Sequence, residues 1–556
     1  MGKLTYVSSL LILGTMVLSG CSGSSSSSNP YADVCTNAVS GVQLVSLSPS
    51  RGTLFGDQQV TAVIMEHGPA FTPTTVYLGN KARDFTVSAQ QGNELTISFT
   101  TAGTPTAGTY PLVLANAFST CAELGNAYTY EAPVSSYFKK FVAMGASYTA
   151  GFQSDSYNEV AQLNGPAAWI ARQAGAYFPI PLIKMPGLPP EEGFDGLDTN
   201  GVFTVSLAAI ASDLFTATNF SEFFVDPSIT PYNIAVPGAM IEDEVLGPAS
   251  KSSSASFVIP LTNFLFAPYD NNFFETKDIK PEIVMAQELH PSIIVSTDEY
   301  GNDLLTGVVT PYNEFALYIT QAVSALAATG AQVFLANVPH AINLPSFQQT
   351  AVNDLTPCSL TFSDITGGIQ GLDQAAGPPD NCAATFANTC EYTACESLVA
   401  MNQSVDEFNA EFATAVAPYP NVHIVDFAGL MNGSVQLAGQ GVTFDSEGFP
   451  EYKVGVGVGS QTLKMKHLGG FYSMDDLHLT NTGYAILAST FIQTINDTLG
   501  TSVPLPDLPA IVSTDPLSPA ALSSYCSQTS NLTKTYCQCV NGTIAATTMT
   551  CSTILY

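Results

Sequence analysis

Positive charge is the scarcest commodity in this sequence. Its 556 residues include 15 Lys and Arg against 46 Asp and Glu, a formal charge of −31. A chain of that sign repels phosphate backbones, which excludes nucleic acid as a partner. The acid excess reflects missing cations rather than acidic blocks, because only 11% of residues are charged. Histidine is also rare, with six in the whole chain, so chemistry that needs an imidazole has few candidates. Long apolar runs are absent beyond the N-terminus, where no segment reaches the ~18 uninterrupted apolar residues of a membrane-spanning helix. What is abundant is core-forming material, 46% hydrophobic and 10% aromatic, which excludes global disorder.

The N-terminus reads as targeting sequence. Lys3 precedes an apolar stretch at 10–18 that is too short to span a bilayer, and Leu18-Ser19-Gly20-Cys21 follows. These small residues before a cysteine resemble a bacterial lipobox. The resemblance implies a signal peptide at 1–20, a diacylated Cys21, and a Ser-rich tether over 21–35. It places the protein in the cell envelope, anchored to the membrane through lipid at the outer membrane, facing the periplasm or the surface. Of eleven cysteines, ten then remain, an even number that in an exported protein indicates disulfides. Cys35 and Cys121 bracket one segment and are expected to be bonded. Cys358, Cys382, Cys390 and Cys395 share a loop, and Cys526, Cys537, Cys539 and Cys551 share the tail. Cys537 and Cys539 are too close to bond each other, so each is expected to pair with Cys526 or Cys551. No cluster has the paired C-x-x-C or nearby histidines of a zinc site, so no metal is expected.

Two textures follow. Residues 36–131 show short alternating strands, such as Gln59-Val60-Thr61-Ala62-Val63-Ile64, separated by Gly and Pro turns. The opening Val45-Ser46-Leu47-Ser48-Pro49, the turn at 68–71, Val76-Tyr77-Leu78-Gly79 and the closing Tyr128-Thr129-Tyr130 resemble an IPT/TIG domain. That resemblance implies a small immunoglobulin-like sandwich serving as a spacer or a binding module, of which the spacer is the expectation here. From 137 to 499, strand-length apolar runs at 141–144, 234–236, 293–295, 333–336 and 423–425 alternate with helical stretches. Pro166, Pro281 and Pro311 open three of those helices, and another is expected over 396–416. Alternation of this kind predicts an α/β fold with a parallel sheet between two helix layers, and a site at the carboxyl ends of the strands. Five prolines between 504 and 519 read as a linker, so 500–556 is expected to be a linker and a Cys-rich tail too small for a core of its own.

The chemistry is concentrated in four stretches. Phe141-Val142-Ala143-Met144-Gly145-Ala146-Ser147 runs from a buried strand into a tight turn that presents a serine. Serine is a poor nucleophile without a base. Met474-Asp475-Asp476-Leu477-His478-Leu479 provides one just before a final helix, with only two residues between His478 and Asp475, which is able to orient it. Asp476 is expected to aim elsewhere, and His423, within a strand, is read as structural.

Together with Asn233-Ile234-Ala235-Val236-Pro237-Gly238 and Tyr300-Gly301-Asn302-Asp303, these stretches resemble the four ordered blocks of the SGNH (GDSL-like) hydrolases. The resemblance covers 137–499, with inserts near 178–230 and 341–397. It implies a flavodoxin-like three-layer α/β/α domain, a triad of Ser147, His478 and Asp475, and oxyanion donors from Ser147, Gly238 and Asn302. It further implies a carboxylic-ester hydrolase acting through an acyl-serine, on lipid, aryl or acetyl esters, with no cofactor. Two positions depart from the family pattern: Ala146 stands where an Asp usually braces the turn, and Tyr300 replaces a glycine. Those departures sustain one alternative, a surface adhesin or binding lipoprotein with an inactive hydrolase-like domain. Since every candidate catalytic residue lies downstream of 132, the β-domain is expected to be dispensable for chemistry.

Overall fold

The computed structural model describes residues 34–67, 71–188, 190–191, 193–194, 223–227, 229–247, 280–305, 310–348, 389–437, 440–445, 450–457 and 459–544. The signal segment, Cys21, the tether to residue 33, most of both inserts, Cys358, Cys382 and Cys551 lie outside them, as do the side chains of Cys390 and Cys395.

The N-terminal segment is all β. Val42–Ser48, Gln59–Glu66, Glu94–Thr100 and Arg83–Gln91 form one antiparallel sheet in that spatial order. Thr120–Glu131, Gly108–Ala115 and Thr75–Leu78 form the centre of the second. Alternation turns Val60, Ala62 and Ile64 inward against Val76, Leu112, Leu114, Tyr128 and Tyr130, so the two sheets share one core. Cys35 and Cys121 are bonded, which fastens the entering chain to the sandwich.

The second unit is built on a parallel sheet of β1 (Phe141–Ala143), β2 (Ile293–Ser296), β3 (Gln332–Ala336) and β4 (Val422–Val425), adjacent in that order. The expected strand at 234–236 contributes a single parallel bridge, Asn233 with Ala143, on the free side of β1. Counting it, the spatial order is 2-1-3-4-5, the doubly wound order in which strand direction of travel reverses beside β1. Side-chain alternation explains the layers. Val142, Ile294, Val333 and Leu335 point to one face, where α7 (Tyr312–Ala327) and α8 (Thr389–Val416) cover them. Phe141, Ala143, Ile293, Val295, Phe334 and Val425 point to the other, under α3 (Pro166–Ala174) and α10 (Asn481–Leu499). The remaining α-helices among the described residues are α1 (Ser147–Ala150), α2 (Glu159–Asn164), α4 (Ile241–Leu246), α5 (Glu282–Glu288), α6 (Gly301–Leu305), α9 (Phe427–Met431), α11 (Leu508–Thr514), α12 (Pro519–Ser527) and α13 (Thr535–Val540).

One expectation needs correction. The Pro-rich stretch after 500 is not a linker: Pro509 and Pro519 sit in the first turns of α11 and α12, where a missing N–H costs nothing, and Val503 and Val512 are buried in the hydrolase core. The sandwich also packs on the hydrolase unit. Phe55, at its base, is buried in the core of the second unit. Arg172 of α3 reaches Asp57 at 2.8 Å, Arg83 reaches the other oxygen of Asp57 at 2.6 Å, and the Arg172 guanidinium lies over the rings of Phe55 and Trp169.

Candidate active site

The site begins where β1 ends. Gly145 has φ +116, and a Cβ there would fall 2.4 Å from Ser296 Oγ, so only glycine lets the chain turn this tightly beside β2. Its N–H donates to Glu282 Oε2 at 2.9 Å. The next residues wind into α1, with Ser147 first and nearly buried. An α-helix start leaves N–H groups without intrahelical acceptors, and here one carboxylate collects most of them. Asp298, just past β2, accepts the N–H of Ala146 (3.1 Å), Tyr148 (2.6 Å) and Thr149 (3.2 Å), and the Thr149 hydroxyl (2.7 Å). The brace missing at position 146 is therefore supplied from the neighbouring strand. Sequence reading missed this role: Asp298 lies between the apolar run at 293–295 and the Tyr300-Gly301-Asn302-Asp303 stretch that it singled out.

The Ser147 N–H is left out of that arrangement and has no partner among the described residues. Gly238, at φ +86, likewise keeps its N–H unengaged. Asn302 donates from Nδ2 to Ala239 O at 2.7 Å, which ties the third block to the second next to Gly238. Asp303 completes the tie by accepting the Ile241 N–H at 2.9 Å and the Thr310 hydroxyl at 2.7 Å. Tyr300 does not disturb the loop: it is fully buried among Phe315 and Phe412, and its hydroxyl donates to Asn409 Oδ1 at 2.6 Å.

The Asp475–His478 pair comes from the loop before α10. Asp475 Oδ2 lies 2.9 Å from His478 Nδ1, and both side chains are buried. Asp475 Oδ1 accepts the N–H groups of Leu477 (3.0 Å) and His478 (2.8 Å) and the Ser473 hydroxyl (3.1 Å). Burial alone would raise the Asp475 carboxyl, but the charge and bond of the His478 ring and the N–H groups of Asp155 and His478 hold it well below the usual carboxylate range. Burial pulls the His478 imidazole down, yet Asp475, then Asp155 and Asp298, lift it above its ordinary value. The imidazole packs against Tyr148 (5.8 Å between ring centres), within α1, and Phe152 (4.8 Å), just after it. Its Nε2 is buried and has no hydrogen-bond partner among the described residues. Tyr148 closes the seam by donating to Leu477 O at 2.6 Å.

Other candidate histidines are occupied elsewhere. His423 faces Gln332 across β3 and β4, and His340 reaches Asp406. His467 lies 2.8 Å from both oxygens of Asp476, so the second carboxylate of the loop has an imidazole of its own. Behind the nucleophile turn, Glu244, Glu282 and Glu299 are buried together, and burial first, then mutual repulsion, raises Glu244 and Glu282 well above the ordinary carboxylate value.

Fold and site together define a class: a doubly wound α/β/α domain with an acid–base pair and a serine turn at the reversal point of its sheet. Residues 141–491, more than half of the chain, match the GDSL-like Lipase/Acylhydrolase family, and the chain belongs to that family. Membership implies a hydrolase acting on esters. No curated protein is similar enough to stand as a relative.

Proposed function

We propose that the protein is a serine carboxylic-ester hydrolase in which Ser147 is the nucleophile, His478 the general base and acid, and Asp475 its orienting carboxylate. The observation that carries this reading is the buried Asp475–His478 pair, whose outer nitrogen is unpaired where the imidazole packs on the turn that bears Ser147. His478 Nε2 takes the hydroxyl proton as Ser147 Oγ attacks the ester carbonyl. Asp475 stabilises the imidazolium that results. The oxyanion develops against the N–H groups of Ser147 and Gly238 and the Asn302 amide, donors fixed before the reaction begins. Collapse expels the alkoxide, which takes the proton back from His478, and water repeats the sequence on the acyl-serine. This chemistry calls for no cofactor.

We further propose that the chain is held at the envelope membrane by a lipidated Cys21, and that the sandwich is an IPT/TIG-type spacer between anchor and catalytic unit. An ester of a lipid, or of an acylated small molecule or glycan near the membrane, is then the substrate class.

Hydrolysis of p-nitrophenyl esters of graded chain length tests the activity. Ser147→Ala and His478→Ala should each lower kcat by about three orders of magnitude or more. Full activity in Ser147→Ala would end the serine-hydrolase reading, and no hydrolysis by the wild type would leave a binding lipoprotein. Cys21→Ser should abolish lipid labelling and release the protein from membranes, and unchanged fractionation would defeat the anchor.

A further inference from the structure

Residues 153–156 close a two-residue reverse turn, with the Gln153 N–H on Ser156 O at 3.0 Å and the Ser156 N–H on Gln153 O at 2.9 Å. Its central residues, Ser154 and Asp155, have φ of +50 and +53, the paired left-handed conformation of a type I′ turn. Neither is glycine, so the surroundings must hold this backbone in place. What holds it is the acid–base loop. Gln153 Nε2 donates to Leu479 O at 3.1 Å, the Ser154 N–H to Ser473 Oγ at 3.0 Å, and the Asp155 N–H to Asp475 Oδ2 at 2.9 Å. That last acceptor is the same oxygen that binds His478 Nδ1. On its other side the turn continues directly from α1, where the Phe152 N–H donates to Ser147 O at 2.9 Å. The turn is thus a mechanical link between nucleophile and base.

The Asp155 side chain adds a second observation. It is half-buried, has no hydrogen-bond partner among the described residues, and stands near Asp475, a charge of its own sign. Burial and then Asp475 push its carboxyl up to about 6, while His478 pulls the other way. A half-buried, unbonded carboxylate beside another is unfavourable unless a cation offsets it, and the imidazolium formed during turnover is that cation.

We propose that Asp155 is a positioning residue for the acid–base pair. Its main-chain N–H fixes the Asp475 oxygen that holds His478, and its carboxylate adds a second negative charge within electrostatic reach of the imidazole. The charged groups facing His478 are then Asp475 from its own loop, Asp155 from the turn after α1, and Asp298 from the loop after β2. The proposal rests on His478 acting as the base.

Asp155→Asn removes the charge but keeps a residue that tolerates the left-handed conformation, and Asp155→Val strains the turn. The His478 imidazole is titrated by NMR, its signal assigned by loss in His478→Gln, and kcat/KM for p-nitrophenyl acetate is followed against pH. In Asp155→Asn, the His478 midpoint and the acidic limb of kcat/KM should move to lower pH together, by about half a unit or more, with KM unchanged. Asp155→Glu should recover part of that shift. Asp155→Val should lose a further factor of about ten or more in kcat even where the imidazole is neutral. An unmoved His478 titration in Asp155→Asn would overturn the electrostatic part. A Val variant as active as the Asn variant would overturn the positioning part. Failure of the enzyme reading is separable, because it appears as an active Ser147→Ala whatever the titration shows.

Discussion

Four donors converge on Asp298, and three of them are main-chain N–H groups of the turn that presents Ser147. Asp298→Asn keeps the shape but turns one acceptor oxygen into a donor aimed at N–H groups, so the turn should loosen. A fall in kcat of about 10–100-fold with KM near wild type is expected, checked by steady-state kinetics on a soluble ester. The loop before α10 offers a sharper contrast. Asp475→Asn should be severe, because the amide no longer stabilises the imidazolium and favours the wrong tautomer. Asp476→Asn loses a bond to His467 rather than to the base and should mainly lower Tm. The reverse pattern would exchange the two assignments. Buried acids also set a pH dependence of stability. Asp303, ordinarily near 3.8, is held up to about 7 by burial, and Glu244, Glu282 and Glu299 are raised for the same leading reason. The folded state keeps protons that the unfolded chain has lost, so their contribution is complete below the ordinary carboxylate value and drains away as pH rises through the folded values. Asp475, depressed, works the other way, its contribution disappearing only as pH falls below the carboxylate range. The urea midpoint should therefore fall between pH 5 and 8, and a midpoint that rises across that window would contradict the raised cluster.

At the scale of elements, the C-terminal helices pack on the loop that carries Asp475 and His478. Leu468 and Met474, which flank it, share an apolar cluster with Leu517, Leu522, Tyr525 and Tyr536 around the Cys526–Cys537 bridge. Gly470 has φ +89, and a Cβ there would sit 2.6 Å from Pro519, so glycine lets α12 lie directly on the loop. Asp515 accepts the N–H and hydroxyl of Thr482 at the start of α10, and the Tyr536 ring lies beside His467. Replacing both Cys526 and Cys537 with Ser should lower kcat with little change in KM, together with Tm, and an unchanged kcat would make the tail ornamental to catalysis. The parallel strands were legible because each is a short apolar run buried on both faces, and the turns of the sandwich because glycine and proline mark them. The tail was not, because its meaning depends on contacts with 468–482, and its prolines signal helix starts and spacers alike. The Asp298 brace was hidden for a related reason: its partners lie some 150 residues away. The exclusion of a Cys537–Cys539 bond, by contrast, followed from local spacing, which left open which of the two takes Cys526; it is Cys537, and Cys539 is disulfide-bonded as well.

At the scale of the molecule, the sandwich and the hydrolase unit share a core residue. Phe55→Ala should cost roughly 3–5 kcal/mol if the site fails to collapse, because a buried ring is lost from the hydrolase core. A chain starting near residue 132 loses Phe55 and leaves Arg172 without Asp57. It should retain KM and most of kcat on a small ester but melt at a distinctly lower temperature, and an unchanged Tm would show the seam to be incidental. The linear sequence placed all the candidate chemistry downstream of the sandwich, and it had no means of showing that Phe55 crosses the boundary.

The seam also has a colloidal meaning. With 15 cations in the whole chain, two arginines converge on the single carboxylate of Asp57. Two anionic bodies joined by a short connection would repel each other at low ionic strength. The local surplus of positive charge lies where the bodies meet, and the long-range repulsion is spread over surfaces that solvent ions can reach. Added salt should therefore screen what drives the two units apart while leaving the shielded arginines largely untouched, within a Debye length of roughly 8–10 Å. In that sense the protein is built to cohere better in brine than in fresh water.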